Sequence, residues 1–360
     1  MFHYSMRELM RLFSEAAVFI CICVHCCWSQ DAIREIKLDD GVFVKSSEKF
    51  ELDPAAATLI EVSANKPSKF LFPYYLYIPS GLPRNDPVRL LVEPNNSGTT
   101  CDDFEFHRQS AKDLVLLKYP RQLADRLRTP LLVPVFPRTK LQWNIYTQAL
   151  NRNCLLVEGD NPLHRIDLQL LAMIQHAREL LRNLGIQTKP RIFMDGFSAS
   201  GSFVDRFAVL HPGNVRALAA GGINGLPIFP IESYQKLSLP FPLGVADLKS
   251  LVGVPFDADS YRRVSQYLYM GALDDNDTFP HSDAWDDDER VLIAKLFGCK
   301  MMPDRWTRSQ KIISGLDLPI QTVTYRCAGH DPEPALDDVV AFFNANNGDE
   351  PKTITPHQCP

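Results

Sequence analysis

Short apolar runs recur along the chain, and amphipathic stretches of helical period separate several of them. Residues 320–325 alternate between apolar and polar, whereas 192–194 and 266–270 are largely apolar, which is typical of strands covered on both faces. This alternation of strands and helices predicts an α/β fold with a mostly parallel twisted sheet and helices on both faces. The predicted strands are 58–62, 74–78, 89–93, 130–136, 192–194, 215–220, 266–270 and 320–325.

The clearest helix signal spans residues 163–184. Asn161 is placed to cap this helix, Pro162 suits its first turn, and Gly185 suits its end. Apolar side chains recur along one face of the segment, so this face is expected to pack on the sheet. A final helix is expected at 336–346, with its apolar side also on the sheet.

The run 192–194 leads into Gly-Phe-Ser-Ala-Ser-Gly at 196–201, and a helical pattern follows. Small residues flank Ser198 because a tight turn from strand to helix leaves no room for larger side chains. The pattern predicts that Ser198 is a nucleophile at the apex of a nucleophile elbow. Ser200 stands where the strict Gly-x-Ser-x-Gly pattern has its second glycine, and it offers a second hydroxyl nearby. On its own, an ordinary turn rich in glycine and serine explains the six residues equally well.

Two later strand ends carry matching chemistry. Asp274 follows the predicted strand 266–270, and His330 follows the predicted strand 320–325. A serine, an aspartate and a histidine in this order, each just past a strand, predict a catalytic triad. Asp274 is favoured as the acid by its offset from Gly271, with Asp277 as the second choice and Asp275 as the third.

Together these motifs resemble those of the α/β-hydrolase superfamily, and within it the esterase-like serine hydrolases. The resemblance rests on the elbow at 196–201, the strand end at 92–98, the acid loop at 271–274 and the Gly-His pair at 329–330, and it covers roughly residues 70–344. It implies the α/β-hydrolase fold and hydrolysis of an ester or related acyl bond through an acyl-serine, with no metal and no other cofactor. It does not imply a particular substrate.

The resemblance also implies an oxyanion hole. Asn95 and Asn96 stand where many superfamily members carry a His-Gly pair, so one of them is expected to donate to the oxyanion together with the amide of Ala199. Ordinary turn residues are the alternative explanation for the two asparagines. Trp143 and Tyr146 lie in the loop after 130–136, and they are expected to line the substrate pocket unless they only pack that loop.

The segment 226–263 is rich in proline and fits a small cap-like insertion over the active site. A long loop packed on the surface is the alternative. With this insertion, residues 31–348 are expected to form a single α/β-hydrolase domain, followed by a loose C-terminal tail at 349–360.

The N-terminus carries Arg7 and Arg11, followed by an apolar run at 16–28. This pattern predicts a signal peptide over 1–30 and a secreted or periplasmic protein. A signal anchor, or an N-terminal helix in a cytoplasmic protein, is the alternative. Four of the nine cysteines lie in that run, and the other five have no zinc-ligand spacing, so free thiols and one or two disulfides both remain open.

Composition and net charge limit which binding partners are expected. The chain has 360 residues, 45% hydrophobic and 22% charged, which is ordinary for a globular protein. Its net charge of -5 leaves no basic face for phosphates, so nucleic acid is not an expected partner. A small-molecule or polymeric ester is the expected substrate. A serine peptidase or amidase on the same fold, or a non-catalytic binding protein that kept the fold, are the alternatives.

Overall fold

A computed structural model describes residues 34–35, 41–43, 52–53, 55–83 and 85–357. The predicted signal peptide at 1–30 lies outside the described residues. No helix in the described ranges has both the length and the apolar character that crossing a membrane requires. Four of the cysteines that lie after the N-terminal run are free thiols, namely Cys101, Cys154, Cys299 and Cys327.

A ten-stranded sheet forms the centre of the described part of the chain. Its strand order is β1-β3-β4-β6-β5-β7-β8-β11-β12, with β2 paired to β3. From β6 to β12 all neighbours are parallel, whereas β4 runs antiparallel to both β3 and β6. These strands are β1 (Arg34–Glu35), β2 (Gly41–Phe43), β3 (Ala57–Val62), β4 (Tyr74–Ile78), β5 (Leu91–Val92), β6 (Leu131–Pro134), β7 (Ile192–Phe197), β8 (Val215–Gly221), β11 (Ser265–Gly271) and β12 (Ile320–Tyr325).

Helices cover both faces of this sheet. One face packs against α1, α2 and α10 through a buried cluster that includes Leu123 and Phe343. The other face packs against α4, α5, α8 and α9 through a larger cluster that includes Leu170, Phe207 and Trp306. The helices are α1 (Phe104–Leu117), α2 (Tyr119–Leu127), α3 (Asn153–Leu156), α4 (Ile166–Asn183), α5 (Ala199–Leu210), α6 (Leu248–Val252), α7 (Ala258–Tyr261), α8 (Asp287–Leu296), α9 (Trp306–Ser314) and α10 (Leu336–Ala345).

This architecture confirms the predicted fold class, a mostly parallel α/β sheet in the α/β-hydrolase arrangement. All eight predicted strands are present, although β5 has ladder pairing only at Leu91–Val92. The chain passes from β5 to β6 on one side and returns to β7 on the other side. At such a switch point the carboxyl ends of the strands open a crevice that binds ligands. The residues that follow β5 and β7, among them Asn95 and Ser198, therefore border this crevice.

The predicted helix at 163–184 begins later than expected, at Ile166. The side chain of Asn161 accepts the N–H of Leu163, and its carbonyl accepts the N–H of His164, so Asn161 closes a turn that precedes the helix. Arg165 then adopts a left-handed backbone conformation with φ 44°, which separates this turn from α4. A residue that suits a helix cap suits such a turn equally well.

The segment 226–263 forms a hairpin of β9 (Ser233–Tyr234) and β10 (Leu237–Ser238), followed by α6 and α7. Leu239, Phe241 and Leu243 from this segment are buried in the larger cluster. The guanidinium of Arg152 donates to the carbonyl of Phe241, which connects the segment to the N-terminal end of α3. The segment is therefore well packed, and its role as a cap over the active site stays a prediction.

The sequence predicts a loose C-terminal tail, but the structure shows the tail bound to the domain as far as His357, the last residue it describes. Arg216, at the start of β8, is fully buried and donates to the carbonyls of Gly348 and Glu350. Further along, the side chain of Gln321 on β12 donates to the carbonyl of Ile354 and accepts the N–H of the same residue. A buried guanidinium needs acceptors, and the tail supplies them.

Candidate active site

The turn between β7 and α5 has the geometry of a nucleophile elbow. Ser198 has φ 64° and ψ −122°, a strained conformation for a residue with a side chain. A Cβ added at Gly196 would lie 2.3 Å from the carbonyl oxygen of Ser200, and one at Gly201 would lie 2.5 Å from that of Gly221. The N–H of Ser198 donates to the carbonyl of Gly221 at 2.9 Å. The small residues around Ser198 are therefore required by the closeness of β7, α5 and β8.

The two serines of this turn have different environments. Ser198 is half-buried, whereas Ser200 is 1% exposed. The hydroxyl of Ser200 accepts the N–H of Phe197 at 2.9 Å and lies 3.2 Å from Oε1 of Glu93. Ser200 thus braces the turn from inside, and Ser198 is the serine that a substrate can reach.

Asp274 and His330 form a hydrogen-bonded pair at the carboxyl ends of β11 and β12. Nδ1 of His330 lies 2.9 Å from Oδ2 of Asp274 and 3.1 Å from Oδ1. The Asp274 carboxylate is almost fully buried, and about a quarter of the His330 side chain is exposed. A buried carboxylate on Nδ1 fixes the tautomer that leaves the lone pair of the imidazole on Nε2.

The loop geometry separates Asp274 from its two alternatives. Asp277 binds the fully buried guanidinium of Arg305, with Oδ1 and Nη2 2.5 Å apart. The side chain of Asp275 is exposed. Of the three candidate acids, only Asp274 contacts the imidazole of His330.

Backbone contacts hold the acid loop and the histidine loop together. The N–H of Leu273 donates to the carbonyl of Ala328 at 2.9 Å. A Cβ added at Gly271 would lie 2.3 Å from the carbonyl oxygen of Gly329. Because the loops approach this closely, Gly271 sets the distance between Asp274 and His330.

The imidazole of His330 lies over the ends of β7 and β8. Its ring centroid is 4.7 Å from that of Phe197, the residue before Ser198, and a Cβ at Gly222 would lie 3.0 Å from its Cε1. The structure therefore brings His330 and Ser198 to the same end of β8. Among the described residues, Nε2 of His330 is bonded to the side-chain amide of Asn276, at 2.9 Å, and not to Ser198.

Side-chain hydrogen bonds hold the turn after β5. The side chain of Asn95 is fully buried and forms two hydrogen bonds with the main chain of Phe136, one as a donor and one as an acceptor, each of 2.9 Å. The side chain of Asn96 donates to the carbonyl of Phe197, the residue before Ser198, at 3.3 Å. The N–H of Ser97 is bound by the side chain of Gln148. The side chain of Asn95 thus holds the turn, and Asn96 lies next to Ser198.

Of the two predicted pocket residues, the structure brings Tyr146 to the elbow. Tyr146 is buried and packs against Ala199, the residue after the nucleophile. The guanidinium of Arg138 lies 3.6 Å from the centroid of the Tyr146 ring and forms an ion pair with Asp283. Burial raises the pKa of the Tyr146 hydroxyl, so it stays protonated. Trp143 is 47% exposed, on the surface of the same loop.

Two carboxyl groups lie buried beneath the elbow. Glu93, which follows β5, and Asp195, on β7, are 3% and 1% exposed, and the two carboxyls are close neighbours. Burial and the neighbouring Asp195 raise the pKa of Glu93 well above its usual value, and burial raises that of Asp195 to about 7. Each of the two carboxyls therefore keeps its proton to a higher pH than an exposed carboxyl does.

Three features of this site have no signal in the sequence. Asn276 lies between two aspartates of an acidic loop, and nothing in that pattern predicts its contact with His330. Glu93 and Asp195 are 102 positions apart, and the pair becomes visible only when β5 and β7 are neighbours. Gln148, which binds the turn after β5, lies 51 positions after Ser97.

Comparisons with solved structures find distant similarities. The chain is similar to LpqC, a poly(3-hydroxybutyrate) depolymerase from Bordetella parapertussis, with 17% identity over 82% of this chain and 92% of that chain and a TM-score of 0.48. It is similar to poly(aspartic acid) hydrolase-1 from Sphingomonas sp. KT-1, with 14% identity, 74% and 91% coverage and a TM-score of 0.49. It is also similar to an S-formylglutathione hydrolase from Agrobacterium tumefaciens, with 13% identity over 84% of this chain and 99% of that chain and a TM-score of 0.46. At these TM-scores the similarities carry no argument about what this chain acts on.

No protein-family model matches the chain, and no curated protein matches it. The sheet order, the elbow and the Asp274–His330 pair therefore carry the functional argument.

Proposed function

We propose that this protein is a serine hydrolase that cleaves carboxylic esters through an acyl-serine intermediate. The observation that carries the proposal is the buried Asp274 carboxylate on Nδ1 of His330, at the same strand ends as the strained Ser198. A strained serine, an imidazole of fixed tautomer and a buried carboxylate are the parts that acyl transfer needs.

In the proposed reaction, Nε2 of His330 takes the proton of the Ser198 hydroxyl as its oxygen attacks the ester carbonyl. Asp274 holds the Nδ1 proton and stabilises the imidazolium. The N–H of Ala199, in the first turn of α5, and an amide of Asn95 or Asn96 bind the oxyanion. His330 then gives its proton to the leaving alcohol, and water releases the acyl group by the reverse steps. Tyr146, packed on Ala199, lines the pocket for the acyl group, and Trp143 lies further out.

The test compares p-nitrophenyl esters from acetate to palmitate on the wild type, Ser198→Ala and Ser200→Ala. Wild-type turnover should fall about 10⁴-fold or more in Ser198→Ala, because no other group replaces the nucleophile. Ser200→Ala should keep most of the activity and lose some stability, since its hydroxyl only braces the turn. The chain-length profile would report the size of the acyl pocket.

Labelling with a fluorophosphonate, read by mass spectrometry, controls for substrate choice. Labelling of Ser198 without ester turnover would redirect the assay to peptides and amides. A folded wild type that neither turns over nor labels at Ser198 contradicts the proposal, and the opposite pattern for the two serines means that Ser200 is the nucleophile.

We also propose that the segment 1–30 is a signal peptide and that the protein is secreted or periplasmic. The support is the pair of arginines followed by an apolar run that is short for a membrane span. N-terminal sequencing of the mature protein should start near residue 30. A mature protein that retains this segment contradicts export with cleavage.

A further inference from the structure

The acid loop places one residue on both members of the Asp274–His330 pair. The backbone N–H of Asn276 donates to Oδ1 of Asp274 at 3.0 Å. The side-chain Nδ2 of the same residue lies 2.9 Å from Nε2 of His330. Asn276 therefore spans the pair, with its side chain on the nitrogen that faces away from the carboxylate.

The chemistry of this contact follows from the tautomer. Because Asp274 accepts a proton from Nδ1, the neutral imidazole has its lone pair on Nε2. An amide N–H is a donor and fits this lone pair. The same lone pair must accept the proton of Ser198 in the proposed reaction, so Asn276 and Ser198 compete for one acceptor.

We propose that Asn276 is a positioning residue that occupies the base nitrogen of His330 in the resting site and must leave it before Ser198 can be activated. This inference rests on the proposed serine hydrolase function. The side chain of Asn276 is exposed, so it can turn into solvent without disturbing the core. The resting enzyme is then held with its base covered, and substrate entry uncovers it.

The groups around the His330 imidazole allow the role of Asn276 to be tested by measuring a pH profile. The imidazole contacts the charged Asp274, the ring of Phe197 and the uncharged side chain of Asn276, and it lies close to Gly222. Of the acids next to these residues in sequence, Asp275 and Asp331 have exposed side chains and Asp277 is bound to Arg305. A change at Asn276 therefore acts on Nε2 with Asp274 unchanged on the other nitrogen.

The experiment measures the rate at which a small fluorophosphonate labels Ser198, from pH 5 to 9, in the wild type, Asn276→Ala and the exposed control Asn183→Ala. At the acid end of this range the three curves should coincide, because protons then outcompete both Asn276 and Ser198 for Nε2. Above neutrality the curve of Asn276→Ala should level off roughly five-fold higher, the factor for removing one competing hydrogen bond, and its midpoint should move to higher pH. Asn183→Ala should follow the wild type throughout.

A second variant, Asn276→Asp, puts a carboxylate on Nε2. It should hold the ring protonated, slow labelling at pH 7, and recover the rate at higher pH. Parallel curves, in which a variant changes the rate by one factor at every pH, would show a structural role only and overturn the inference. A wild type that does not label at Ser198 would instead contradict the proposed function, and melting curves of each variant exclude unfolding as the cause.

Discussion

Asp274 and Asp277 lie three positions apart, and their partners give them different roles. The carboxylate of Asp274 is buried against the ring of His330, whereas that of Asp277 neutralises the buried Arg305 guanidinium. Asp274 is placed to act on an imidazole that changes charge in the proposed reaction. The other is needed whether or not a reaction takes place, because an unpaired buried guanidinium is unfavourable.

Matched amide substitutions should separate these two roles. Asp274→Asn should lower kcat/KM by about 10⁴-fold with a small change in stability, because the amide favours the wrong tautomer of His330. Asp277→Asn should keep most of the activity and lower the free energy of unfolding by roughly 2 to 4 kcal/mol. Ester hydrolysis and urea denaturation measure the two effects. If Asp277→Asn abolished hydrolysis in a folded protein, the triad acid would be misassigned.

At the scale of elements, the elbow depends on how closely three backbones approach. β7 ends at Phe197, α5 starts one residue after the nucleophile, and the end of β8 accepts the N–H of Ser198. Gly221 is needed too, since a Cβ there would lie 2.2 Å from the ring of Tyr269. The conformation of Ser198 is thus imposed by packing on both sides of the turn.

A methyl group added at this contact should disturb the elbow. Gly201→Ala places its Cβ 2.5 Å from the carbonyl of Gly221, so α5 must move away from β8. We expect a loss of about 1 to 3 kcal/mol in stability and a larger proportional loss in kcat/KM, because the nucleophile moves with the helix. Gly213→Ala is the matched control, since a Cβ there meets no atom within 4 Å. Equal behaviour of the two variants would show that the close approach does not set the elbow.

At the scale of the whole molecule, buried acids make stability depend on pH. Burial raises the pKa of Asp205 and of Glu289 to about 7, and it raises the pKa values of the Glu93–Asp195 pair. These groups keep their protons in the folded state at pH values where they are ionised in the unfolded chain. Because the unfolded chain then binds fewer protons, stability falls as pH rises from about 4 through 7.

The pair beneath the elbow should account for part of this slope. Glu93→Gln replaces the buried carboxyl with an amide, which does not titrate. The free energy of unfolding of this variant should therefore decline less between pH 5 and pH 8, by on the order of 2 kcal/mol. Some slope should remain because of Asp205 and Glu289. Urea denaturation across this range measures it, with the exposed Glu158→Gln as the control. An unchanged slope in Glu93→Gln would mean that the pair does not bind a proton in the folded state.

The sequence predicts what depends on local pattern. Ser198, Asp274 and His330 are visible in the sequence because each lies within five positions of the end of a predicted strand. The predicted start of α4 is wrong because Asn161 suits a turn as well as a helix cap. The left-handed backbone of Arg165 decides for the turn. The triad roles themselves stay predictions until activity is measured.

What the sequence could not show depends on contacts between distant segments. The choice between Asp274 and Asp277 rests on Arg305, which lies 28 positions after Asp277. The burial of the Asn95 side chain depends on Phe136, 41 positions away. No periodicity or motif encodes such pairs, since they arise only when the sheet brings their strands together.

The order of the strands also places Ser198 and His330 on parts of the sheet that differ in local stability. Ser198 follows β7, which has a neighbour on each side, whereas His330 follows β12, the outermost strand, which the tail holds through Gln321. Edge strands open by local fluctuation at a lower free energy than central ones. On warming, or after proteolysis near residue 354, the imidazole of His330 would detach from an intact elbow. Inactivation would therefore begin as a reversible opening at one margin of the molecule, before the domain melts.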